Sequence, residues 1–186
     1  MFRYVIRWSY VSIAEEDLVS LLIFSNYLDM ESGPLWTACR TNGYAYGIAF
    51  DFDVEKNLIL FSINQCSQLQ LAYSSVIETL KNLVEYKLKL DVQRITAAQN
   101  LTICMLTEHL ATLGRIKSVC IHSYLHKYSI EKYQDLLNEI NSFNYNEERL
   151  MKLIERYVSP LVNDKQSSTL VLVNSNKMKL CKCYIH

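Results

Sequence analysis

Gly33-Pro34-Leu35-Trp36-Thr37-Ala38-Cys39-Arg40-Thr41-Asn42-Gly43-Tyr44-Ala45-Tyr46-Gly47 is the stretch on which the reading of this chain turns. It holds three of the four glycines and one of the two prolines, so the backbone's special geometry is concentrated here. An arginine and a tyrosine stand six residues apart across it, at 40 and 46. A fixed guanidinium beside a phenol at a Gly-rich turn can grip a carbonyl or a carboxylate.

Upstream, Phe2, Tyr4, Ile6 and Trp8 alternate with Arg3, Val5, Arg7 and Ser9, which predicts a strand. Ser12 and Glu15 have the spacing of a capping box and open a helix running to about Met30. Its segment Leu18 to Phe24 is apolar nearly all round, so this helix is expected to be deeply packed.

Downstream, Tyr44 to Asp53 alternates strongly and pairs with Leu58 to Asn64 through the turn Glu55-Lys56-Asn57, a hairpin. Leu69, Ala72, Tyr73, Val76, Ile77, Leu80 and Val84 then follow the helical period over 67–86. Further helices are expected over Asp91 to Leu113, Ile116 to Lys127 and Glu131 to Ile140. A last one runs from Asn146 to about Val158, with Asn144 as cap and Pro160 just beyond its end. The β-branched run within Ser168 to Asn174 predicts a buried closing strand. No internal repeat, low-complexity tract or interior linker interrupts this order. Strand, helix, hairpin, several helices and a final strand make an α+β two-layer sandwich, with a mostly antiparallel sheet and helices on one face. The order excludes a simple βαβ dinucleotide-binding unit.

The chain's 186 residues suit one domain, residues 1–186. Half of the residues are hydrophobic and a fifth are charged, which excludes a disordered chain. Nineteen basic residues balance nineteen acidic ones, so there is no electrostatic case for a nucleic-acid partner. No apolar run approaches the roughly 20 residues of a membrane span, so no membrane partner is expected. Met1 to Tyr10 reads as a strand, not as a secretory signal or an Arg/Ser-rich transit peptide, and the chain is expected to begin inside a folded unit. Six cysteines without a Cys-x-x-Cys pair read as free thiols in a reducing, intracellular compartment, cytoplasmic or mitochondrial.

The other constellations are weak. His122 and His126 stand one helical turn apart without a third ligand, and read as a helix face. Met105-Leu106-Thr107-Glu108-His109 imitates His-x-x-Glu-His with methionine in place of the first ligand, and methionine binds zinc poorly. Cys181-Lys182-Cys183 lacks the second pair that would complete a site. Asp51 and Asp53 share a strand face but lie at a turn, where solvated carboxylates are ordinary. There is no Gly-x-Ser-x-Gly elbow and no phosphate loop.

Glu31 through Gly47, with Leu35-Trp36, Arg40, the Gly-rich turn and Ala45-Tyr46-Gly47, resembles the C-terminal half of the pitrilysin/insulinase-type inverzincin metallopeptidases, the presequence-protease-like branch in particular. The Arg-to-Tyr interval of six is reproduced, and the hairpin and following helix agree. The resemblance is sharp over about residues 30–80 and looser beyond. It implies a domain that closes a peptidase chamber, with Arg40 and Tyr46 supplied to the substrate backbone near the scissile bond. It also implies that zinc resides in a partner N-terminal half, in cis or in trans, on His-x-x-Glu-His. Tyr44 departs from the pattern, which often has glycine there, and the first helix contains no histidine. The chain therefore cannot be a complete peptidase of this class. It is expected to be a fragment of a longer multidomain peptidase, with peptide as the substrate, Arg40 and Tyr46 as substrate-binding residues, and no catalytic residue, metal ligand or cofactor of its own. Two other readings stand beside it: a catalytically inactive homologue acting as a scaffold or subunit, and a free-standing interaction module.

Overall fold

The computed structural model describes residues 4–108, 111–114, 116–117, 120–121 and 131–173. Alternating side chains form β1 (Tyr4–Tyr10), β2 (Ala45–Asp53), β3 (Leu58–Cys66) and β4 (Ser167–Leu172). They make one antiparallel sheet in the order β2-β3-β1-β4. β1 lies at its centre, pairing Val5 with Ile63 on one side and with Val171 on the other. The inward row Val5, Phe50, Ile59, Phe61 and Ile63 is buried beneath the helices. Phe24 meets Phe50 edge-on at 6.2 Å between ring centres, and Tyr73 meets Phe61 at 6.2 Å. The architecture is the α+β sandwich expected from the order of elements.

The centre of the sheet holds a charge. Arg7 points inward with Val5 and Ser9 and is buried. Its Nε donates to the Leu161 carbonyl (2.5 Å), and its terminal nitrogens donate to the Tyr73 hydroxyl (2.6 Å), Thr169 Oγ1 (3.1 Å) and Asp164 Oδ1 (2.6 Å). A guanidinium leaves water only where its donors find such partners. This one ties β1 to β4 and to two segments of the helical layer.

A short 3-10 turn, Glu15–Asp17, leads into α1 (Leu18–Asp29). The expected Ser12–Glu15 capping box does not form. Neither the 3-10 turn nor α1 has a side-chain cap. Distant groups hold the entry instead: Ile13 N donates to Asn57 Oδ1 (3.1 Å) and Ala14 N to the Tyr157 hydroxyl (3.1 Å). These tertiary partners satisfy the backbone N–H groups of Ile13 and Ala14 at the entry to the helix. At Gly33 the backbone doubles back so tightly that a Cβ would lie 2.6 Å from the Tyr27 carbonyl oxygen and 2.7 Å from that of Leu28. The next helix, α2 (Pro34–Trp36), runs directly into a π-helical turn, Thr37–Thr41.

After the hairpin, α3 (Leu69–Val84) lays Ala72, Val76, Leu80 and Leu83 on the core. Each large side chain so buried contributes about 1.5–3 kcal/mol. α4 (Val92–Glu108) starts beyond Asp91, whose carboxylate accepts from Gln93 N (2.9 Å), and packs on α1 through Asn26 Nδ2 donating to Thr102 Oγ1 (2.8 Å). Most of the helix expected over Ile116 to Lys127 lies outside the described residues. α5 spans Glu131–Asn141 and α6 Glu147–Leu153.

Three further expectations need correction. Asn146, not Asn144, caps α6, accepting from Arg149 N at 2.9 Å. Pro160 does not lie beyond the helix, because α6 widens into a π turn, Ile154–Val158, and continues as α7 (Ser159–Val162) with Pro160 inside it. The wide turn lets a residue without an N–H enter the helical path. β4 is an edge strand and not a buried one: Leu170 and Leu172 are 44% and 53% exposed. A β-branched run reports strand, but periodicity does not separate edge from centre.

Candidate functional site

Trp36, Arg40 and Tyr46 converge where the helical segment 34–41 turns into β2. Leu35, Ala38 and Cys39 are buried and anchor the segment from below. Ser75 Oγ of α3 donates to the Ala38 carbonyl (3.0 Å), and Cys39 Sγ lies 3.8 Å from the Ala72 carbonyl oxygen. Burial pushes the Cys39 thiol up to about 12, so it serves as a packed apolar group. The turn itself closes through Gly43 N on the Arg40 carbonyl (3.0 Å) and Tyr44 N on that of Cys39 (2.9 Å). Gly43 adopts φ +68°, a region that favours glycine. Ser67 Oγ then locks the Gly43 and Tyr44 carbonyls at 2.7 and 2.9 Å.

On this frame the Arg40 guanidinium carbon lies 4.2 Å from the centre of the Trp36 ring and 4.4 Å from that of Tyr46. Both are cation–π distances. Arg40 and Tyr46, the two residues that the resemblance singles out, are thus brought together. Trp36 is the member the sequence reading did not assign. Its signal was available: it precedes Arg40 by four positions in a helical segment, which places both on one face. Tyr46 is 61% exposed although it shares strand parity with buried Phe50. Opposite it, Gln65 takes φ +50°, and the ladder passes from Ala45↔Cys66 to Gly47↔Asn64. That local distortion accompanies the outward setting of the phenol.

Among the described residues, no hydrogen bond or ion pair engages the Arg40 guanidinium or the Tyr46 hydroxyl. The other described arginines all reach oxygen: Arg7 as above, Arg94 on the Ser32 carbonyl, Arg149 on that of Glu16 and Arg156 on Asp17.

The remaining candidates separate plainly. Asp51 Oδ1 accepts from the adjacent Phe52 N (2.8 Å). Asp53 accepts from Lys56 N (3.0 Å) and Lys56 Nζ (2.6 Å), which holds its carboxyl below its ordinary value, so it belongs to the turn, whereas Asp51 lies within β2 opposite Leu60. His109, His122, His126, Cys181 and Cys183 lie outside the described residues. Among those described, no group of three or more His, Cys, Asp or Glu side chains could hold a metal ion, and no helix is long and apolar enough to cross a membrane.

One half-buried carboxyl escaped the sequence reading. Phe50 N, on edge strand β2, donates to both oxygens of Asp29 (2.8 and 2.7 Å), while Ser25 Oγ donates to the Phe50 carbonyl (2.6 Å). Desolvation outweighs that backbone donor and pushes the Asp29 carboxyl up to about 8. Together, Ser25 and Asp29 close the outer edge of β2 at this point.

No family model matches the chain. An uncharacterised protein of Caenorhabditis elegans is 34% identical over 70 residues, a stretch that is 38% of this chain and 7% of that protein. An inactive peptidase domain from Bordetella parapertussis superposes with a TM-score of 0.68 at 12% identity, covering 93% of each chain. The peptidase M16 inactive domain from Pseudomonas fluorescens gives 0.63 at 11% identity, over 91% of this chain and 40% of that one. The fold is therefore that of the pitrilysin-type zinc peptidases. More narrowly, it is the fold found in their inactive, non-catalytic domains. The chain matches only a small part of the length of the curated relative.

Proposed function

We propose that this chain is a non-catalytic domain of a longer zinc metalloendopeptidase, closing the peptide chamber against a zinc-bearing N-terminal half supplied in cis or in trans. Residues 1–186 form one domain of that assembly, and its compartment is a reducing one inside the cell. The observation that carries the reading is the apposition of Arg40 and Tyr46, the guanidinium carbon 4.4 Å from the centre of the phenol ring, with no acceptor engaged by either among the described residues. A guanidinium and a phenol set on a rigid turn can hold a peptide carbonyl and stabilise negative charge developing on it; a zinc ion and general base would be supplied by the other half. Catalysis needs such donors to be in place beforehand, and the turn's backbone hydrogen bonds supply that order.

The test is the kinetics of the full-length protein, or of this chain combined with its zinc-bearing half, carrying Arg40→Ala or Tyr46→Phe. Losing one preorganised donor to a developing oxyanion costs about 2.7–4 kcal/mol, roughly a 10²–10³-fold fall in kcat. Unchanged kinetics in both variants, with the fold intact by circular dichroism, would leave the turn a purely structural element.

A further inference from the structure

We infer that Trp36 is a positioning residue: its ring, together with that of Tyr46, holds the Arg40 guanidinium in the place from which it meets the peptide carbonyl. This rests on the reading that Arg40 binds substrate, and it adds the residue through which that binding is organised. Arginine is a long side chain with much rotamer freedom to lose. A donor lowers a barrier only so far as it is in place before the reaction, so Arg40 needs a restraint. Elsewhere in this chain oxygens supply it: Arg7 donates to Leu161, Tyr73, Thr169 and Asp164. Arg40 has no such partner among the described residues, and its contacts are aromatic. The guanidinium carbon lies over the Trp36 ring at 4.2 Å and over the Tyr46 ring at 4.4 Å. A ring restrains a cation without supplying an acceptor oxygen, so the hydrogen-bonding demand of the guanidinium stays open to a carbonyl.

Trp36 is itself held. Leu35 beside it is fully buried, and Thr37 N on its other side donates to the Gly33 carbonyl (2.9 Å). The backbone enters this segment without slack, since a Cβ on Gly33 would already meet the carbonyl oxygens of Tyr27 and Leu28. Trp36 precedes Arg40 by four residues along the continuous helical path 34–41, which puts the indole and the guanidinium on one side of it. Trp36 is only half-buried, so it is not sealed in the core away from the exposed Tyr46. The π turn Thr37–Thr41 lies between the ring and the cation, and such turns are frequent at functional sites. Tyr46 serves twice in this arrangement: its ring restrains Arg40, and its hydroxyl is a donor of its own.

The test is the kinetics of the proposed full-length peptidase carrying Trp36→Leu or Trp36→Phe, each alone and combined with Arg40→Ala. Phenylalanine keeps a ring for the cation, whereas leucine keeps only apolar bulk. Trp36→Leu should lower kcat/KM roughly tenfold and Trp36→Phe by about threefold or less. Neither should lower it further once Arg40 is alanine, because Trp36 acts through Arg40. Equal losses for leucine and phenylalanine that persist without Arg40 would make Trp36 a packing residue and overturn this role. Wild-type kinetics in Trp36→Leu, with Arg40→Ala still impaired, would also overturn it and leave the carbonyl-binding reading standing. Wild-type kinetics in Arg40→Ala would overturn both. Should the Trp36 variants fail to fold, nuclear magnetic resonance of the unaltered chain decides. The Arg40 Nε–H signal, assigned by its absence from Arg40→Lys, should be displaced by the ring currents of Trp36 and Tyr46. A signal at the position of a solvated arginine would overturn the contact and the role built on it.

Discussion

Asp29→Asn should remove a pH dependence from the stability of this domain. The folded chain keeps the Asp29 carboxyl largely protonated up to about 8, against 3.8 for the free group. Between those values the native state binds a proton that the unfolded state has released. Stability is therefore fully present at the acid end and is lost as pH rises through the window. One pH unit of such linkage is worth about 1.4 kcal/mol. The full span sets a ceiling of about 6 kcal/mol, and the residual solvent contact of Asp29 reduces the expected loss to about 2–3 kcal/mol. Asparagine retains an oxygen to accept from Phe50 N, now at 2.7–2.8 Å from the carboxylate, and cannot ionise. Urea denaturation at half-unit pH steps from 4.5 to 8.5 is the assay. The variant should match the parent near pH 5 and exceed it near pH 8. Parallel curves across the window would show that Asp29 is ionised in the fold and that the edge contact is an ordinary charged hydrogen bond.

Other perturbations follow from the same packing. Arg7→Leu should destabilise by about 3–5 kcal/mol in denaturant melts, because it strands the buried acceptors around it. Asp164→Asn should cost under about 1 kcal/mol, since Asp164 is 82% exposed, and equal effects would refute this division. Gly33→Ala sets a Cβ against three backbone carbonyl oxygens and should cost several-fold more stability than Gly47→Ala, whose Cβ meets only the Asn64 side chain; the pair of melting temperatures decides it. Metal analysis of the purified chain should find no stoichiometric zinc, and one tight ion per chain would redirect attention to His122 and His126.

The fold was legible because its elements obey simple periods. The Gly33–Gly47 stretch announced its turn, and the regular spacing of Val76, Leu80 and their neighbours announced the covering helix. Arg40 and Tyr46 were legible as a pair through the family resemblance of Glu31–Gly47; their spacing alone reads equally as an Arg at a helix end and an aromatic in a strand. What escaped depends on partners remote in sequence. In β1 the more apolar set is Tyr4, Ile6 and Trp8, yet Val5, Arg7 and Ser9 face the core. The acceptors of Arg7 come from positions 73, 161, 164 and 169, which no local window contains. Ser12 failed as a cap for the same reason, since Tyr157 serves that turn from the other end of the chain. The perturbed Asp29 likewise needed the edge of β2 to be placed first. Asn146 replaced Asn144 because cap positions shift by a residue or two within a polar run.

The most direct test of the account is a double-mutant cycle of Arg40→Ala and Tyr46→Phe in the proposed full-length peptidase, read as kcat/KM on one peptide with circular dichroism as the folding control. Two donors acting on one bound peptide should each lower kcat/KM by about 10²-fold or more, and the double variant should fall well short of the product of the two losses. Wild-type kinetics in both single variants would contradict the assignment of this turn to the substrate.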